Sequence, residues 1–184
     1  MGHANKFVIS AALCALAAAG GERAAAEVVS VAGNGFEVRE TVHTVTAADK
    51  VYALMLLPAH WWGSDHTFSG SAANLTLDAR AGGCWCESLP GGGSVEHLRV
   101  VYVSPGKSLR LRGALGPFQG LAVDGAMTWS LKNVADGTDI TFTYTVGGYS
   151  KDGFEELSKA ADHVLGAQIE QLKKVADGAA PQAR

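Results

Sequence analysis

Glu87, Glu96 and His97 are the residues of this chain whose types best suit acid–base chemistry, with Asp65 and His66 close behind. A carboxyl or imidazole taken out of water has its proton affinity moved toward neutrality, where it can orient a polar group or transfer a proton. Glu96 and His97 are consecutive, and in a regular strand they face opposite sides, so at most one of them belongs to any one site. Hydrogen-bonded or surface polar side chains are the commoner fate of such residues, and the sequence favours that fate over catalysis. His60, Asp65 and His66 match no standard ligand spacing, so no metal site is expected. No cofactor is expected either. Gly106-Lys107-Ser108 has the form of the end of a phosphate-binding loop, but Val101 stands where the first glycine is needed. Gly91-Gly92-Gly93 lacks the spacing of a dinucleotide fingerprint, and no Gly-x-Ser-x-Gly elbow exists.

The elements that would position these residues are mostly strands. Phe36 to Val45 alternates, with Phe36, Val38, Val42 and Thr44 on one face and Glu37, Arg39, Thr41 and His43 on the other. Thr46 has the character of an N-cap for a short helix over Ala47 to Leu57, ended by Pro58. Further strands are expected at Asn74–Ala79, Cys84–Ser88, Val95–Val103, Ser108–Leu115, Gly125–Lys132 and Thr138–Val146. Short Gly-, Pro- and Asp-containing turns separate them, so neighbours should pair antiparallel. From about Asp152, which with Glu155 has the pattern of a capping box, a long helix closes the chain. Its Phe154, Leu157, Ala161, Val164, Leu165, Gln168, Leu172 and Val175 recur at three- and four-residue intervals, a stripe that must be buried against the sheet.

The N-terminus carries a different signal. Lys6 precedes an apolar run from Phe7 to Gly20, and Ala24-Ala25-Ala26 offers the small-x-small pattern of a signal-peptidase site before Glu27. Residues 1–26 are therefore expected to be a cleaved export signal, which places the protein in the periplasm or outside the cell. The apolar run is shorter than the roughly 20 residues a spanning helix needs, so no membrane insertion of the mature form is expected. Residues 27–184 then form a single domain of 158 residues, long enough for a sizeable core. The first 26 residues carry Lys6, Arg23 and Glu22, a net +1, so the remainder of a chain at −3 sits at −4. That mild acidity, with no Lys/Arg cluster, argues against a nucleic-acid partner. The composition sets no oligomeric state.

Cys84 and Cys86 meet an oxidising compartment if the chain is exported. In an extended strand they share a face, with Cα atoms near the upper limit of about 6.8 Å for a disulfide, and a bulge would bring them closer. The sequence favours two partly buried thiols over a bridge.

One strand, a short helical region, a six-strand meander and a long C-terminal helix is the order of a helix-grip fold. Along that order lie Trp61-Trp62, His66-Thr67-Phe68-Ser69-Gly70, Asn74-Leu75-Thr76-Leu77-Asp78, Gly82-Gly83-Cys84-Trp85-Cys86-Glu87, Val95-Glu96-His97 and Gly113-Ala114-Leu115-Gly116-Pro117, with Pro105-Gly106-Lys107, Leu109-Arg110-Leu111 and Met127-Thr128-Trp129. In these segments the chain resembles the SRPBCC superfamily, related to START domains and the birch pollen allergen, and within it bacterial polyketide cyclase/dehydrase-like or heat-shock ATPase-activator-like proteins. The resemblance implies an α+β fold in which a curved antiparallel β-sheet wraps around a long C-terminal α-helix, enclosing a hydrophobic cavity. A chaperone-activating role belongs to the cytosol and does not suit an exported chain.

Alternation estimates the lining of such a cavity. Met127, Trp129 and Leu131 share one strand face, and Ile140, Phe142, Tyr144 and Val146 share the next. Leu111 and Leu115 come from another strand, Trp85 from the Cys-Trp-Cys segment, and Leu157, Ala161 and Leu165 from the helix. Trp61, Trp62 and His66 should close one end, and Phe118, on a Gly-Pro-rich loop, has the placement of a lid. The expected function is binding of a small apolar molecule in this pocket. The alternative is a cyclase- or dehydratase-like enzyme using Glu87, Glu96 or His97 there.

Overall fold

The computed structural model describes residues 25–179 together with Met1. The expected export signal thus lies outside the described residues, apart from Met1 and its last two alanines. Eight strands form one antiparallel sheet: β1 (Ala25–Ala32), β2 (Gly35–Thr44), β3 (Leu75–Leu77), β4 (Cys84–Ser88), β5 (Ser94–Ser104), β6 (Ser108–Arg112), β7 (Ala122–Val134) and β8 (Gly137–Tyr149). Their spatial order is β1-β2-β8-β7-β6-β5-β4-β3. Two α-helices lie among the described residues, α1 (Ala48–Met55) between β2 and β3, and α2 (Glu155–Ala176) after β8.

The expected alternation is the physical basis of the sheet. In β2 the odd-numbered side chains are half-buried or exposed, whereas Phe36, Val38, Val42 and Thr44 are buried. Across β7 and β8, Met127 stands opposite Tyr144, Trp129 opposite Phe142 and Leu131 opposite Ile140. Cross-strand pairing of large apolar side chains is what stabilises the inner face. Register shifts between Val28 and Ser30, Trp85 and Cys86, and Val100 and Tyr102 mark bulges, which bend strands and deepen the sheet's curl.

Helix α2 is 22 residues long, about 33 Å, and packs mainly against β2 and β1. It buries Ala161, Leu165, Gln168 and Leu172 of the expected stripe and Ile169 beside it, while Leu157, Val164 and Val175 are only half-buried. Its end is tied to β2 by Asp177, which accepts a hydrogen bond from the Thr44 hydroxyl at 2.5 Å. This is a helix-grip fold of the α+β class.

The local details differ from expectation in four places. β1 is an additional edge strand, giving eight strands where the sequence suggested seven. Thr46 does not cap α1: Ala47 takes that position without a side-chain hydrogen bond, and the Thr46 hydroxyl instead donates to the Ala176 carbonyl at 2.7 Å. The Asp152–Glu155 capping box is not formed, because Gly153 turns the chain at φ +77° and buried Phe154 precedes the helix. Finally, Cys84 and Cys86 form a disulfide with Cα atoms 5.4 Å apart. A regular strand would hold the two Cα atoms farther apart, and the register shift beside them places its extra residue, His97, on β5 rather than on β4.

Candidate functional site

A cavity of about 420 Å³ opens between α2 and the β3–β4–β5 end of the sheet. Its floor is Leu75, Trp85 and His97, and α2 supplies Leu157, Ala161, Val164 and Leu165. Two loops complete the rim: Trp62 with Asp65 to Phe68 on one side, Leu115 to Phe118 on the other.

Both loops are held by specific hydrogen bonds. The Gly63 amide donates to the buried Gln168 side chain of α2 at 2.7 Å, and the Trp62 indole donates to the His66 carbonyl at 2.9 Å. On the opposite side, Tyr144 accepts from the Leu115 amide at 2.8 Å and donates to the Gly113 carbonyl at 3.0 Å. Burial pushes the Tyr144 hydroxyl up to about 12, so it stays a donor. Gly125 leaves room for this ring, because a Cβ there would lie 2.6 Å from it.

His97, on the cavity floor, is paired with the buried Glu87 behind it. Glu87 is 1% exposed and accepts from His97 Nε2 at 2.9 Å, from the Phe68 amide at 3.1 Å and from the Ser69 amide at 2.5 Å. Burial alone would raise the Glu87 carboxyl, but the hydrogen bonds from Ser69, His97 and Phe68 outweigh it and hold it below the ordinary carboxylate range. An ionised Glu87 only accepts, so Nε2 of His97 carries a proton. The Phe68 ring, 55% exposed, stacks over the imidazole at 5.9 Å. His97 Nδ1 and the Trp85 indole nitrogen are both shut off from solvent without a partner.

Of the residues expected to line a pocket, Trp62, His66, Trp85, Leu115 and Phe118 border the cavity, as do Leu157, Ala161 and Leu165. Phe118 is a packed wall rather than a free lid, its ring set against Phe36 and Tyr144. Trp61, Leu111, Met127, Trp129, Phe142 and Tyr144 do not reach the cavity and fill the core instead. The reason is aromatic packing: Trp129 stacks on Phe142 at 4.8 Å and meets Trp61 edge-on at 5.8 Å, leaving no room between them. Glu96 is excluded from the site, facing outward where it pairs with Arg99. Asp65 and His66 sit at the rim 3.7 Å apart. Among the described residues no three His, Cys, Asp or Glu side chains gather as a cation site. Phe68 was missed as a wall residue, and its neighbours His66 and Ser69 gave the only hint, by belonging to the same motif.

Neither a protein-family model nor a curated protein sequence matches the chain. Solved structures do share its fold. Protein MLL2253 from Mesorhizobium loti aligns over 77% of this chain and 96% of its own at 18% identity, with a TM-score of 0.56. EF2215, a conserved protein of unknown function from Enterococcus faecalis, aligns over 84% and 80% at 13% identity and 0.57. The di-domain ARO/CYC StfQ from the steffimycin biosynthetic pathway matches 80% of this chain and 51% of its own at 14% identity and 0.54. At such identities the likeness is one of fold.

Proposed function

We propose that the chain is an exported, SRPBCC-like protein that binds a small hydrophobic molecule between α2 and the concave face of its sheet, without reacting with it. The observation that carries this reading is the cavity itself. Its volume of about 420 Å³ falls within the range of small-molecule sites, and indole, phenyl and aliphatic side chains dominate its wall. Export accords with the leader-like N-terminus and with the Cys84–Cys86 disulfide, a bond that persists in oxidising compartments.

The test is to fill the space. Ala161 lies on α2 at the cavity wall, and Ala161→Phe should abolish uptake of the apolar dye Nile red while the protein stays folded. Undiminished uptake by a folded variant would contradict binding at this place.

One observation favours a second reading. His97, at the cavity wall, is hydrogen-bonded to the buried Glu87 behind it, a carboxylate–imidazole couple of the kind a general base uses. A polyketide cyclase- or dehydratase-like enzyme would use it, and StfQ, an ARO/CYC by name, has this fold.

A further inference from the structure

Cys84 and Cys86 close a covalent ring over a single residue, Trp85, which forms part of the cavity floor. The bridge holds their Cα atoms at 5.4 Å, whereas two residues of extended chain span about 6.6 Å at the usual rise of a strand. Oxidised β4 is therefore drawn in by about 1 Å beside the cavity. A disulfide stabilises a fold chiefly by closing a long loop of the unfolded chain, and this one joins residues only two apart. Its effect is local. Both cysteines are half-buried on the outer face of β4, open to a reductant, while Trp85 and Glu87 are buried on the inner face. Glu87 accepts from the Phe68 and Ser69 amides and so anchors the rim loop on which Phe68 stands. On one side β4 has only the three-residue β3, at the edge of the sheet, so the strand has room to lengthen.

We infer that the Cys84–Cys86 bridge is a redox switch of the cavity: a dithiol reduces it from the outer face, β4 relaxes, and Trp85 and Glu87 shift so that the ligand is held less tightly. In the exchange a thiolate of the dithiol attacks one sulfur of the bridge, and the other cysteine leaves as a thiolate that takes up a proton. The dithiol's second thiolate then displaces the first cysteine, which is protonated in turn. The products are two cysteine thiols and the dithiol oxidised to its own disulfide, two electrons having passed to the bridge. Reductant and ligand approach opposite faces of one strand and do not compete for space. This inference rests on the cavity-binding reading above.

The test measures the affinity of the native protein for Nile red before and after reduction by dithiothreitol, with circular dichroism recording the fold. Reduction should weaken binding about tenfold, a coupling of ordinary size between two sites. The double variant Cys84→Ser, Cys86→Ser, which cannot close the bridge, should bind as weakly as the reduced protein. Coupling is reciprocal, so saturating Nile red should raise by the same factor the ratio of reduced to oxidised dithiothreitol at which half the protein is reduced. Equal affinity of the two forms, or a bridge reduced as easily with the dye as without it, overturns the inference while leaving the cavity reading intact. A reduced protein that unfolds overturns it too, since the bridge is then a staple of the fold, as does native protein whose two cysteines are alkylated without reduction. Uptake by neither form overturns both readings.

Discussion

Replacing Glu40 by glutamine should make the protein more stable at neutral pH and leave it unchanged in mild acid. Glu40 lies on the inner face of β2, 1% exposed, under α2. Gly166 of the helix faces it, a Cβ there lying 3.4 Å from the Glu40 carboxyl. Burial first, then the Asp162 carboxylate beside it and Glu170 farther off, push the Glu40 carboxyl from an ordinary 4.5 up to about 8. The folded value lies above the unfolded one, so the folded chain keeps a proton that the unfolded chain has lost. That contribution is fully present below pH 4.5, declines as pH rises, and is gone once pH passes about 8. Within the window stability falls by about 1.4 kcal/mol per pH unit, or roughly 2–3 kcal/mol between pH 5.5 and 7.5. The amide of the Glu40→Gln protein is neutral throughout and lacks this slope. Urea denaturation of both proteins at several pH values measures it, and subtraction removes the titration of every shared group. Parallel stability profiles, or a Glu40→Gln protein weaker than the native one at pH 7.5, would refute the reasoning.

Two further outcomes follow from the site. Trp129→Ala removes a ring stacked on Phe142 and should cost about 3–5 kcal/mol in urea denaturation. It should affect Nile red uptake only through folding, because Trp129 does not border the cavity. Glu87→Gln should leave affinity for an apolar ligand nearly unchanged if the protein is a carrier, and abolish turnover if it is an enzyme; a ligand assay and a product assay on the same folded variant separate the two.

The strands and the helix stripe were legible because burial imposes periods of two and 3.6 that β2, β7, β8 and α2 all carry. β1 was not, since its Ala-Glu-Val-Val-Ser-Val run follows directly on the leader-like segment and does not alternate cleanly. The inward turn of His97 was not legible because a bulge in β5 breaks the period of two and nothing in the residue types marks where it falls, and the Cys84–Cys86 bridge needs a closer Cα approach than a regular strand provides. Glu40 did carry a signal. It has the same parity as Val38 and Val42, so the alternation already placed a carboxylate on the core face. What periodicity does not contain is whether facing aromatics fill their space. Trp129 and Phe142 do, whereas Trp62 and Trp85, with equally large rings, border an opening.

The claim that the chain carries a small molecule between sheet and helix is tested most directly by native mass spectrometry of the protein purified from its native cells, followed by organic extraction of whatever is bound. The account predicts a stoichiometric apolar molecule that the Ala161→Phe protein lacks. An empty protein that also takes up no Nile red would contradict it.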